Sequence, residues 1–503
     1  MPSGEHERRL AIGTILQQIS QVFSVVVMLA VITVLARRLT LTEFGTYGLL
    51  VSLTAYVFFV QSSIETLGVK AIAEAPGQRE RNRAFSTALS VYVVAGAVAA
   101  ALIAVGGISL LGLLNVPAAL QHQARVGVLI LAAVTFVGWP AKTFQDVLRA
   151  SHELAAYSAA EMSALLIVGS LLMSLALADA PLWALVGVGG SAPLAIGLAA
   201  AALVTLRGLP FRFTREGLER DSLRRFLRPS GYLLLGGISD LVLYVLDRAI
   251  LSAFRSPATL ALYEGAVRPH NLLRQLNGTF AIASLPTAAS YLRANDRSRL
   301  RDLLLRGTRY ALATIVPLTL VFMILAQPIL EVWLGSEYKA GALAMTILAS
   351  YWLFHSNTVV AGGMLLAAGR VRQLVAWSVA VAAFNLTLSL ALTPWLGLNG
   401  LVIGTAVPFA VLFPVYMVIV VSTFPVTLSD FAREAWLPAY ATGAVVSCAL
   451  LVLRFTVVLD TVPKVVGAVV LGLGSYWTIY YAFWLRPHER DLVKNLISAP
   501  FAR

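Results

Sequence analysis

Four side chains near the middle of the 503-residue sequence, Glu264, Arg268, Asn271 and Gln275, follow one another at steps of four, three and four. On an α-helix that spacing draws one polar stripe. It combines a carboxylate, which holds small cations or protons, with a guanidinium and two amides, which bind phosphates and sugar hydroxyls. Arg274 and His270 lie beside the stripe, and Pro269 interrupts the backbone along it. Upstream, Asp240 and Asp247 share a helical face with Tyr244. Other chemistries have no residues to carry them. There is no Gly-x-x-x-x-Gly-Lys-Ser/Thr loop, no His-Glu-x-x-His and no Cys-x-x-Cys, and the six histidines show no ligand spacing. Cys448 is the only cysteine, so a disulfide or thiolate metal site within one chain is excluded. An ATP-driven pump and a metalloprotease are therefore disfavoured, no cofactor is expected, and the chain does not read as an enzyme.

The elements that hold these residues must live in lipid. The chain is 58% hydrophobic and 13% charged, with a mean hydropathy of +0.80. A soluble domain carries about 25% charged residues, so a water-facing surface cannot be built from this inventory. A helix needs about 20 mostly apolar residues to cross the hydrocarbon, and that ruler finds fourteen candidate spans. The first, 11–35, is too long for a signal-peptide core and reads as a retained helix. The seventh, 231–254, carries Asp240 and Asp247. The eighth, 260–288, carries the stripe and is the weakest.

Charge gives the spans a side. With an inside N-terminus, 28 Lys and Arg fall on the cytoplasmic side and 8 outside, and Arg268 and Arg274 within span eight complete the total of 38. The positive-inside rule then places both termini in the cytoplasm. The net charge of +13 follows from topology and does not call for a nucleic-acid partner. Two loops concentrate it: seven arginines lie between Arg207 and Arg228, and six between Arg293 and Arg309. The first has apolar residues at Leu218, Leu223, Phe226 and Leu227, which predicts a short amphipathic helix on the membrane surface.

Charged residues inside spans cost several kcal/mol unless they face a wet cavity or a partner. The first half has Gln17, Gln21 and Ser24 on span one, Gln61 and Glu65 on span two, Lys142 and Asp146 on span four, and Glu161 on span five. Glu65, Lys142 and Asp146 lie within two turns of the cytoplasmic boundary and read as snorkelling side chains. Local similarities also recur at offsets of 215 to 218: Tyr47 with Tyr263, Ile130-Leu-Ala with Ile347-Leu-Ala, and Gly189-x-x-x-Pro193 with Gly404-x-x-x-Pro408. Six spans separate the copies, so both have the same orientation, a parallel repeat. The expected architecture is an all-α polytopic membrane protein of about fourteen transmembrane helices, with two six-helix lobes around a central cavity plus two C-terminal helices. The domain boundaries are 1–206 for the first lobe, 207–229 for a basic cytoplasmic linker, 230–422 for the second lobe, and 423–503 for spans thirteen and fourteen with a cytoplasmic tail.

Several segments together resemble a known family. The stretch LARRLTLTEFGTYGLL at 35–50, DRAIL at 247–251 leading to YEGA at 263–266, VWLGSEYKAGA at 332–342, and LAAGR at 366–370 followed by NLTLS at 385–389 are similar in order and spacing to the Wzx-type polysaccharide flippases. These form the polysaccharide transporter branch of the multidrug/oligosaccharidyl-lipid/polysaccharide exporter superfamily. The resemblance runs from about residue 10 to 422. It implies translocation of a polyprenyl-pyrophosphate-linked oligosaccharide from the inner to the outer leaflet of the bacterial cytoplasmic membrane by alternating access. It also implies polysaccharide polymerase and assembly machinery as partners. On that reading Arg268 and Arg274, with Arg37 and Arg38, neutralise the pyrophosphate, while Asn271, Gln275, Gln17 and Gln21 contact the glycan. Asp240, Asp247 or Glu264 would hold a coupling cation. A cation-coupled multidrug antiporter and a lipid II flippase of the same superfamily are the competing readings.

Overall fold

The computed structural model describes residues 3–227, 241–243, 245–487 and 489–491, with side chains from Leu16 onward. All regular structure among the described residues is helical. The chain divides into two compact units, Met1–Ala261 and Leu262–Arg503.

The first unit holds α1 (Ser3–Arg38), α2 (Leu41–Ala73), α3 (Gln78–Leu110), α4 (Ala118–Ala150), α5 (Leu154–Leu177), α6 (Leu182–Gly190), α7 (Ala192–Leu206), α8 (Arg220–Leu227) and α9 (Leu246–Phe254). Thr40 and Glu43 form a reciprocal capping box that turns α1 into α2: the Glu43 amide donates to Thr40 Oγ1 at 3.3 Å, and the Thr40 amide donates to Glu43 Oε2 at 3.0 Å. In lipid no hydrophobic force draws helices together, so close packing of small residues does. A Cβ on Gly197 would stand 2.7 Å from the Ala141 Cβ and 2.9 Å from its carbonyl carbon, so α7 can lie on α4 only because that residue is glycine.

The helix α10 (Pro257–Arg293) starts in the first unit and continues into the second. The second unit then holds α11 (Arg297–Ile324), α12 (Ala326–Leu334), α13 (Ala342–His355), α14 (Val359–Ala367), α15 (Val371–Leu396), α16 (Leu398–Thr423), α17 (Leu428–Thr456, with a π turn at Ala432–Trp436) and α18 (Val462–Phe483). Here α15 packs along α16, where a Cβ on Gly404 would come 2.6 Å from the Ser389 amide nitrogen. Outward faces stay apolar, and Trp395 and Phe455, at helix ends, are 83% and 81% exposed, as residues at a lipid interface are.

Among the described residues, ten helices are long and apolar enough to cross a membrane, or eleven when α6 and α7, bent by 45°, are one span. The three further expected spans differ for separate reasons. Residues 231–240 and 244 of span seven lie outside the described residues, and its described helix, α9, has nine residues. Span eight is α10, long enough at 37 residues but too polar to count as apolar. Span ten is divided at Ser356–Thr358 into α13 and α14, of 14 and 9 residues, each too short alone. Helix starts keep the repeat period: Leu41 and Pro257 are 216 apart, Leu154 and Val371 217, Leu182 and Leu398 216. The copies are not identical. The first half breaks its sixth span at Ser191, whereas the matching α16 runs on through Pro408 and Pro414.

Candidate transport site

The predicted stripe on α10 is present, and its two ends differ. Glu264 is buried and takes a 2.5 Å ion pair from Arg268 one turn along, whose Nε also donates to the Glu264 main-chain oxygen at 3.2 Å. The carboxylate expected to hold a cation and the guanidinium expected to hold phosphate are thus partners. Farther along, Asn271 and Arg274 are half-buried and Gln275 is exposed. Both prolines, Pro269 and Pro286, are accommodated inside the helix. His270 points off the stripe into an aromatic cluster: Trp352 Nε1 donates to its Nδ1 at 3.2 Å, and the Tyr351 and Trp352 rings lie 5.1 and 5.2 Å from its own. It is a packed structural histidine.

The remaining predicted residues belong to the first unit. Arg37 and Arg38 are exposed in the last turn of α1. Gln17 is half-buried and Gln21 exposed, while Ser20 between them is buried and donates to Glu161 Oε2 of α5 at 2.7 Å. Asp247 is buried on α9. Asp240 lies outside the described residues. The eight proposed substrate contacts are therefore divided between the units, with Arg268, Asn271, Arg274 and Gln275 on α10 in the second.

A second charged group is better formed than the sequence indicates. Glu65 of α2 bridges two cations of α4: Lys142 Nζ is 2.7 Å from Glu65 Oε2, and Arg149 bonds Oε1. One turn from Lys142, Asp146 is fully buried and accepts the Tyr92 hydroxyl at 3.1 Å. Its other oxygen is buried without a donor among the described residues. A Cβ on Gly68 would sit 2.5 Å from Asp146 Oδ2, so the glycine makes room for the carboxyl. In place of reaching outward, these side chains are taken up by partners on neighbouring helices, and the helices outrun the predicted spans. Helix α2 continues to Ala73, which leaves Glu65 two turns inside its end. The usable signal was the matched spacing, Gln61 and Glu65 on one helix against Lys142 and Asp146 on the other, each one turn apart.

The basic linker is also placed. Its short helix α8 forms, but Phe226 is buried among Ile64, Leu67, Tyr92 and Trp139 instead of facing headgroups. The preceding turn is fastened to the start of α3 by Arg79 with Glu216 at 2.6 Å, Arg83 with Glu219 at 2.8 Å, and Thr87 Oγ1 donating to the Gly217 carbonyl at 2.9 Å. The hydrogen bond from Arg79 holds the Glu216 carboxyl below its ordinary range. In the second unit, Arg301 of α11 contacts Asp430 and Glu434 at 2.9 and 2.7 Å, and buried Arg309 pairs with Glu489 beyond α18, so α17 and α18 are tied to α11 by charge as well as packing.

Residues 34–342 match the model of a family described as polysaccharide biosynthesis protein. No curated protein matches the sequence. Among solved structures, the chain is similar to a lipid II flippase MurJ in an inward closed conformation, with a TM-score of 0.71 and 14% identity, covering 94% of this chain and 100% of that one. It is also similar to an inward-facing multidrug resistance MATE family transporter of the MOP superfamily, at 0.64 and 16%, covering 80% and 95%. A MATE transporter VcmN of Vibrio cholerae gives 0.55 and 16%, covering 83% and 97%. At such identities the likeness establishes the fold, which is that of MurJ and MATE transporters.

Proposed function

Because the chain belongs to the polysaccharide biosynthesis protein family, we propose that it is a flippase carrying a polyprenyl-pyrophosphate-linked oligosaccharide from the cytoplasmic to the outer leaflet, in surface polysaccharide synthesis. The setting is the bacterial inner membrane, with both termini in the cytoplasm, as the distribution of arginines favours. The domain division at 206, 229 and 422 goes with this reading.

The observation that carries it is the α10 stripe. This 37-residue helix of a membrane protein carries Glu264, buried, Arg268, Asn271 and Arg274, half-buried, and Gln275, exposed. Such groups in a span are costly unless a polar cargo uses them. Arg268 and Arg274 meet the pyrophosphate, joined by Arg37 and Arg38, and Asn271, Gln275, Gln17 and Gln21 contact the glycan. The Glu264 pair supplies a coupling step. Pyrophosphate and Glu264 compete for the Arg268 guanidinium, and a carboxylate released from that pair while still buried must take up a proton or cation. Asp240 and Asp247 are further candidates for that cation. Alternate exposure of the loaded stripe to the two sides of the membrane then completes a cycle.

The test is leaflet exchange of a fluorescent lipid-linked oligosaccharide in proteoliposomes. Arg268→Ala and Arg274→Ala should each lose most of the exchange while thermal stability is followed in parallel. Full exchange by both variants removes the assignment. Indifference of exchange to proton and sodium gradients removes the coupling step and leaves the arginine roles standing.

A further inference from the structure

The motif Gly189-x-x-x-Pro193 recurs in the second half, yet only its first copy breaks the helix, bending α6 against α7 by 45° at Ser191. A cavity of about 180 Å³ lies at that break, wholly within the first unit, and its wall includes Phe58, Gln61, Thr135, Gly138, Trp139 and Pro193. Thr135 is at mid-length of α4, so the cavity sits near the middle of the spans.

Three features describe what would fill it. The first is donors. Gln61 is 3% exposed and its Nε2 has no acceptor among the described residues, although an orphaned buried amide costs about 1–3 kcal/mol. The first turn of α7, fifteen residues long, has no side-chain cap, because the Ser191 hydroxyl turns back to the Val188 carbonyl at 2.8 Å. Both point to a ligand rich in acceptor oxygens. The second is charge. Lys142, whose Nζ lies 5.8 Å from the Phe58 ring centre, is paired with Glu65. Among the described residues no charged one lines the cavity, so an anion would find no counter-charge on its wall, which points to a neutral ligand. The third is shape. Two aromatic residues, half-exposed Phe58 and buried Trp139, give flat apolar walls. The volume falls below the roughly 300 Å³ at which drug-sized pockets begin, which leaves room for one ring.

We propose that the cavity at the α6–α7 break is a subsite for a single neutral sugar residue, held by Gln61 and the α7 amino end against Phe58 and Trp139. That the sugar belongs to a lipid-linked head rests on the flippase reading. The preference for a neutral hydroxylated ring does not.

The single exposed cysteine allows a direct test in the full-length protein. In a Cys448→Ala background, Thr54→Cys places a thiol on the cavity wall. Its maleimide labelling rate is measured with methyl glucoside, galactose, N-acetylglucosamine or glucuronate, and with betaine as the osmotic control. At ten times its Kd, a bound neutral sugar should slow labelling about tenfold. Gln61→Leu should remove that protection, each rate being compared with that of the same variant without sugar. Saturation-transfer NMR on the unmodified protein with the same sugars covers the case in which the reporter variant does not fold. Protection no greater than that of betaine, protection that survives Gln61→Leu, or stronger protection by glucuronate than by any neutral sugar would overturn the proposal. Leaflet exchange without sugar protection rejects the subsite alone, and sugar protection without exchange rejects the flippase reading alone.

Discussion

Removing Glu65 is the most informative perturbation of the first unit, because one carboxylate serves two unequal cations. The Lys142 side chain is 12% exposed and that of Glu65 17%, whereas Arg149 is 34% exposed. Stripping the partner from a buried charge costs about 3–5 kcal/mol. An exposed pair contributes up to about 1 kcal/mol. Glu65→Ala should therefore cost about 3–5 kcal/mol, nearly all of it through Lys142, and Arg149→Ala no more than about 1 kcal/mol. At about 2–4 °C per kcal/mol, the expected losses in Tm are on the order of 10 °C and under about 4 °C. The double variant Glu65→Leu with Lys142→Met removes both charges at similar volume and should recover most of the loss. Thermal unfolding in one detergent, followed through the nine tryptophans, ranks the three proteins. The reasoning is refuted if Glu65→Ala is as mild as Arg149→Ala, which would mean that Asp146 takes over Lys142, or if the double variant is no better than Glu65→Ala.

Other expectations follow from separate contacts. Val at Gly197 or Gly404 forces a branched side chain into backbone and should cost about 1–3 kcal/mol of stability, with lower yield of folded protein as the first sign. Glu489→Ala leaves Arg309 buried without its carboxylate and should loosen α17 and α18, read as faster proteolysis between Val457 and Thr461 before the rest of the chain is cut. The linker should be acid-sensitive. Because Arg79 holds the folded Glu216 carboxyl below its unfolded value of 4.5, the stabilisation is complete above that pH and is lost as pH falls through the folded value. Hydrogen exchange across residues 211–222 should rise in that window and should already be fast at neutral pH in Glu216→Gln. Rapid exchange at neutral pH in the unaltered protein would contradict the docked linker.

Hydropathy and repeat offset are properties of whole segments, and the membrane-crossing helices and the repeat period were legible in the sequence. The 216-residue period seen between Tyr47 and Tyr263 returns in the helix starts Leu41 and Pro257. The α10 stripe was legible because a four, three, four spacing survives any shift of the helix ends. Details that depend on where a helix stops were harder. Glu65 and Lys142 read as snorkelling because hydropathy ends the second span at residue 66, seven residues short of the end of α2 at Ala73. Phe226 read as membrane-facing because amphipathicity reports a face to be buried without naming the partner. Nor does Gly-x-x-x-Pro separate a broken span from a continuous one: Pro193 opens α7 while Pro408 lies inside α16. What differs is the packing around each copy, which the motif does not contain.

The central claim is that the cargo is a lipid-linked oligosaccharide. Its most direct test is to delete the gene in its host and identify by mass spectrometry the lipid that accumulates in the cytoplasmic membrane, with leaflet assigned by accessibility of its glycan from outside. The account predicts an oligosaccharide-loaded polyprenyl pyrophosphate trapped on the inner leaflet, restored to the outer leaflet by the intact chain and not by Arg268→Ala. Unchanged surface glycans together with drug hypersensitivity, or accumulation of lipid II in its place, would contradict it.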